Sequence, residues 1–322
     1  MKASPKFWRK TYKNMENNKN LRQNLELIFI GLIILAVTIL SIKEIDLISL
    51  IPYLPLEEWS ETLINWLNLE LMPFFNAISF IIKSLLLPIQ KFFVELPSLM
   101  TMVLLSVLAY YLSGRKVGLF VLTALIIISS MGFFKEAMTT LSLVVTATLL
   151  ALIVGIPTGI LKARSKIVTA IADPILDFMQ TMPLFVYLIP AVLFFHIGNI
   201  PGIVATFIFA TPPAVRLTSL GIEQIPKELI EAGKAFGTST GQFLKKVEIP
   251  LAMPSIMAGV NQTIMLALSM VVVASMVGAK GLGLEVYTGI TRLNVGKGIA
   301  SGIGIVLLAM ILDRITRTAW KK

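Results

Sequence analysis

Eight runs of apolar residues, each close to the length of a membrane crossing, constrain this chain before anything else does. They fall at about 25–42, 97–113, 117–134, 137–161, 174–195, 201–220, 254–277 and 299–317. Crossing the hydrocarbon layer takes roughly 20 residues of helix. Inside it, every backbone N–H and C=O must find its partner within the protein, and helices meet that demand segment by segment. The expected fold class is an all-α polytopic membrane protein with eight transmembrane helices. Composition agrees, with 56% hydrophobic and 14% charged residues and a mean hydropathy of +0.84, values foreign to ordinary globular domains.

The net charge of +10 would suggest nucleic acid in a soluble protein, but its distribution points to a bilayer instead. Residues 1–24 form a basic tail with Lys2, Lys6, Arg9, Lys10, Lys13, Lys19 and Arg22 against a single acid, Glu16. Arg115 and Lys116 follow the second run, Lys162, Arg164 and Lys166 the fourth, and Arg314, Arg317, Lys321 and Lys322 the last. With eight crossings and both termini cytoplasmic, all of these fall on one side, as the positive-inside bias requires. The segment 278–298 dissents, carrying Lys280, Arg292 and Lys297 with only Glu285 on the opposite side.

Residues 25–42 are expected to form an extra N-terminal transmembrane helix. The run is long and is followed by Lys43-Glu44, not by a small-residue cleavage site. Residues 43–95 are expected to lie outside as an amphipathic, interfacial segment. There Trp59, Leu63, Trp66, Leu67 and Phe74 recur at near-helical spacing among acids. Residues 78–94 resemble a ninth crossing, but Lys83, Pro88, Gln90 and Lys91 interrupt them. A ninth crossing would also reverse every downstream orientation.

The sequence carries no equipment for covalent chemistry. It has no G-x-x-x-x-G-K-[ST] phosphate loop and no H-E-x-x-H, and it contains no cysteine. Its single histidine, His196, beside a glycine-containing turn, reads as an interfacial side chain. Any energy for transport must then arrive through a partner. The fourth and seventh runs hold no ionisable residue, whereas gradient-driven carriers commonly place carboxylates at that depth. Such a carrier is disfavoured, although sodium sites made from backbone carbonyls remain open.

One polar insert, 225–254, interrupts this pattern: IPKELIEAGKAFGTSTGQFLKKVEIPLAMP. Pro226 suits a first helical position, and Glu228 and Glu231 complement a helix N-terminus. Gly237 can end that helix, a second short helix carries Phe243 to Lys246, and Pro250 is expected to stop it. The order Glu231-Ala232-Gly233, three residues, Gly237, nine residues, Val247-Glu248-Ile249-Pro250 resembles the EAA loop of ABC importer permeases. The departures are Gly233 for the second alanine, Val247 for isoleucine and Ile249 for leucine. Met179-Gln180-Thr181-Met182-Pro183-Leu184-Phe185-Val186-Tyr187 and residues 251–276 narrow the resemblance to permeases for glycine betaine, proline betaine and related osmolytes. It covers roughly residues 55–317.

The resemblance implies a type I ABC importer transmembrane domain over 96–322, in a bacterial inner membrane. Two copies would form the membrane core. A cytosolic ATPase subunit would bind the ATP and dock on the loop bearing Glu231, Ala232, Gly233, Gly237, Val247, Ile249 and Pro250. A separate extracytoplasmic protein would deliver the solute, since no carboxyl-terminal binding domain is expected here. No cofactor is expected on the chain itself. Changing Gly233 to alanine, which restores the common motif, is expected to be nearly silent.

A translocation path is also expected. Gln262, Met265, Ser269, Val272 and Met276 recur at three- and four-residue steps and so share a face. Phe185 and Tyr187, with Phe194 and Phe195, offer aromatic faces suited to a quaternary ammonium. Packing between helices explains the same residues equally well, and Asn261 is as suited to bridging helices as to touching solute. Glycine betaine heads the expected solutes, with proline betaine, choline, carnitine and trimethylamine oxide behind it. The competing readings are a gradient-driven osmolyte carrier and a membrane scaffold without transport.

Overall fold

A computed structural model describes residues 54–319 apart from position 236, together with scattered helical positions between 27 and 38. The basic tail and most of the expected 25–42 span lie outside the described residues. The chain divides into two compact units, 1–66 and 67–322. Helix α1 (Leu56–Glu70) begins in the first unit and ends in the second, with Glu57 and Glu58 in its first turn, where negative charge suits the helix dipole. Trp59, Leu63 and Trp66 stand exposed along it, the apolar face that the sequence pattern requires.

The second unit is a bundle. Helix α2 (Met72–Gln90) runs into a π turn, Lys91–Glu95. Then come α3 (Ser98–Ser113), α4 (Arg115–Ser130), α5 (Phe134–Arg164), α6 (Lys166–Thr181) and, after a 3-10 turn, α7 (Leu188–Phe195). Helix α8 (Asn199–Glu223) precedes the insert helices α9 (Lys227–Ala235) and α10 (Thr240–Phe243). Helices α11 (Ile249–Ser269), α12 (Val271–Ser275), α13 (Leu282–Thr291) and α14 (Val295–Ala319) complete it.

Helix α8 packs most extensively of all, against α5 on one side and α11 on the other. Small residues permit this. A Cβ built on Gly155 would meet that of Ala214 at 2.7 Å, and one on Gly221 would meet Ser255 at 2.7 Å. In a membrane, where burial from water no longer drives helices together, such close packing supplies much of the association. Some buried hydroxyls are settled locally: Ser142 and Thr146 each donate to the carbonyl four residues back, both at 2.7 Å.

The eight runs do not become eight uniform spans. Among the described residues, five helices are long and apolar enough to cross a membrane, and a bent pair makes a sixth if counted as one broken span. Helices α3 and α4 have 16 residues each, about 24 Å of rise, short of the roughly 30 Å core. They form a hairpin that leans on α14, where Ser113 donates to the Ile315 carbonyl at 3.0 Å and Arg314 lies 3.8 Å over the Phe120 ring.

The expected span 174–195 is a broken pair. Helices α6 and α7 meet at 111°, because Met182 is extended (φ −66, ψ 131) ahead of Pro183. Pro190 leaves α7 unbroken, and Pro157, Pro212 and Pro213 lie inside continuous helices.

Met72–Glu95 has the length and hydropathy of a crossing, where the sequence suggested an interfacial segment. Its buried Ile82 and Leu86 meet Leu143 and Ala147 in the first half of α5, and Ile200, Ile203 and Val204 at the start of α8. Phe75 stacks on Phe194 at 4.1 Å between centroids and meets Phe195 edge-on at 5.7 Å. Its partners thus run from the end of the bundle remote from the insert to Leu150, midway along α5.

At that same end the loops clasp each other. Gly198 N donates to the Val277 carbonyl and Lys280 N to Asn199 Oδ1, both at 2.9 Å. His196 is exposed with φ 59 just past α7. Lys297 pairs with Glu285, which offsets one of the cations that made 278–298 an exception.

Candidate functional site

The insert folds into an elbow. Helix α9 is anchored by Ile230, which packs with buried Ile222, Ile225, Ala252 and Ile256. It ends in a Schellman-type cap: Thr238 N and Oγ1 both reach the Gly233 carbonyl, at 3.2 and 2.7 Å, and Gly237 takes φ +66. Ser239 then opens α10 with a capping box, its Oγ accepting from Gln242 N while Gln242 Oε1 accepts from Ser239 N. Glu231, Ala232 and Gly237 are exposed, whereas Gly233, Val247 and Ile249 are half-buried.

Two expectations about this elbow need correction. Pro250 does not stop the second helix. The π turn Leu244–Glu248 joins α10 to α11, and Pro250 sits in the first turn of α11, so Thr240–Ser269 is one continuous 30-residue helix. A π turn bonds five residues apart and has already shifted the ladder there, so the missing proline N–H costs little. Gly233 is also more than a tolerated variant. A Cβ on it would overlap the Phe243 ring, so the glycine is what allows Phe243 to fold back against α9.

Three ion pairs gather behind the elbow. Lys162 meets Asp173 at 3.0 Å, Arg216 pairs with Asp177, and Arg164 pairs with Glu248. The sequence reading took Lys162 and Arg164 only as markers of sidedness. Glu248 lay inside the motif, and its signal was an acid set between Val247 and Ile249 in an otherwise apolar run.

The proposed pathway residues separate into two groups. Gln262, Met265 and Ser269 are exposed on α11, Val272 is half-buried on α12, and Met276 is exposed just past it. Phe185 is exposed as well. Tyr187 is not: it is 2% exposed, its hydroxyl donates to the Met179 carbonyl across the α6–α7 bend, and its ring meets Phe209 edge-on at 6.1 Å. It closes the bend, so in this chain it packs the interior instead of facing a path. Phe194 and Phe195 pack on α2 through Phe75. Asn261 bridges helices, accepting from Thr316 of α14 at 2.9 Å. Tyr187, Leu188 and Ala191 form one buried cluster with Met270 and Val277, which sets the α6–α7 break against the α11–α12 break.

This arrangement has known counterparts. The family described as "Binding-protein-dependent transport system inner membrane component" matches residues 155–318. The glycine betaine/proline betaine transport system permease protein ProW of Escherichia coli (strain K12) is 47% identical over 264 residues, covering 82% of this chain and 75% of that protein. The glycine betaine/carnitine transport permease protein GbuB of Listeria monocytogenes is 48% identical over 276 residues, covering 84% and 98%. In shape, the chain is similar to an inward-facing crystal form of the MetNI methionine ABC transporter, with TM-score 0.52 and 24% identity over 57% of this chain and 94% of that one. The chain belongs to the family of binding-protein-dependent transport system inner membrane components and has the fold of an ABC importer permease.

Proposed function

We propose that two copies of this chain form the membrane core of an ATP-driven importer for glycine betaine and related quaternary-ammonium osmolytes, with the insert and the carboxyl terminus cytoplasmic. The reading rests most on the elbow: Glu231, Ala232 and Gly237 stand exposed on a capped turn whose far arm is one helix with α11. A cytosolic ATPase subunit would bind the ATP and press on that turn, and the continuous arm would carry the displacement into the bundle. The extracytoplasmic binding protein would hand solute to the opposite end. The substrates for which ProW and GbuB are named favour glycine betaine, proline betaine and carnitine.

The test is reconstitution into vesicles with an ATPase subunit and a binding protein of the same transport system. Uptake of labelled glycine betaine should require ATP and both partners. Uptake by the chain alone, driven by an ion gradient without ATP, would replace this reading with that of a secondary carrier.

A further inference from the structure

The three ion pairs behind the elbow differ in burial. Arg216 and Asp177 have 39% and 66% of their side chains exposed, whereas Arg164 and Glu248 have 28% and 11%. A pair bathed in water holds geometry weakly. A largely buried one resists separation, because either charge left alone would be desolvated without compensation. Its position matters as much. Glu248 ends the π turn of the arm and Arg164 is the last residue of α5.

The corner beyond Arg164 is stiff. Ser165 caps α6 by accepting from Val168 N at 3.4 Å, Thr169 Oγ1 donates to the Lys162 carbonyl at 2.8 Å, and Lys162 pairs with Asp173. From there α6 continues, with Pro174 inside it, to the 111° break. The arm passes by its backbone into α11, whose first turns pack on the end of α5 through Ala252, Met253 and Ile256 against Ile156, Ile160 and Ala163. The Arg164–Glu248 pair adds an ionic link from the arm itself to the α5–α6 corner.

We infer that Arg164 and Glu248 are positioning residues that lock the α5–α6 corner to the coupling arm, so that a push at the elbow moves α11 and the α6–α7 break together. This rests on the importer reading above. Without the lock, the arm would still receive the ATPase stroke, but its hold on the α5–α6 corner would rest on the apolar contacts of α11 alone.

The experiment measures solute moved per ATP hydrolysed in vesicles holding permease, ATPase and binding protein. Glu248→Gln, which keeps shape and removes charge, and Arg164→Gln should assemble and hydrolyse ATP while that ratio falls at least about tenfold, within the usual range of coupling factors. Arg164→Lys, which keeps the charge, should retain most of the ratio, and the swap Arg164→Glu with Glu248→Arg should recover part of it. An unchanged ratio in Glu248→Gln overturns the proposal. So does a loss of assembly in both neutral variants that the swap leaves unrepaired, since the pair would then serve folding alone. Absence of ATP-driven uptake in the unaltered chain is a separate outcome and removes the importer reading itself.

Discussion

Two prolines in this chain sit beside helix junctions and do opposite things. At Pro183 the preceding Met182 is extended and the chain turns by 111°. At Pro250 the preceding Ile249 is helical (φ −60, ψ −49), and Thr240–Ser269 continues as one helix. The ring and the missing N–H are the same in both places. What differs is the backbone before them: α6 has already ended at Thr181, whereas a π turn has shifted the hydrogen-bond ladder ahead of Pro250. A proline therefore makes a hinge where the helix has let go, and a seamless joint where the helix has already re-registered. The elbow's far arm is one continuous helix, and the sharp turn belongs to the α6–α7 bend.

The largest effect is expected at the turn that drives the continuous arm. Gly237→Val places a β-branched residue at φ +66, a conformation costing about 1–3 kcal/mol. ATP-dependent uptake should be nearly abolished while membrane insertion persists, read by transport assay alongside quantification of inserted protein. Next comes Pro183→Ala, which lets α6 run on past Met182. Uptake should fall several-fold with ATP hydrolysis retained, and an unchanged rate would deny the bend a mechanical role.

Gly233→Ala should be smaller but not silent. Its Cβ overlaps the Phe243 ring, and crowding of this kind costs about 1–3 kcal/mol. Combining it with Phe243→Leu should return uptake towards the original level. The smallest effect is expected for Pro250→Ala, within about 0.5 kcal/mol of no change in stability, as for a substitution away from any special contact. A large loss of thermal stability there would break the comparison between the two prolines.

Much of this was legible in the sequence because it depends on short-range rules. Gly237 at a helix end and Glu228 in a first turn follow from local spacing, and both stand in the structure. What could not be read depends on partners far along the chain. Arg164 and Glu248 are 84 residues apart, and nothing local marks them as a pair. Tyr187 looked like an aromatic face for solute because its hydrogen bond across the bend exists only once α6 and α7 have folded back on each other. Gly233 looked like a mild motif variant until Phe243 was placed against it. For Met72–Glu95, composition was ambiguous from the start. Lys83 and Lys91 argue for an interface and the apolar run for a crossing, and only its contacts with α5 and α8 describe where it sits.

The central claim is that the elbow faces the ATPase side and carries work into the bundle. The chain contains no cysteine, so a single Thr238→Cys variant reports one position without background. A membrane-impermeant maleimide should label it in inside-out vesicles and leave it untouched in intact cells. Labelling from the outer surface of intact cells would contradict the account.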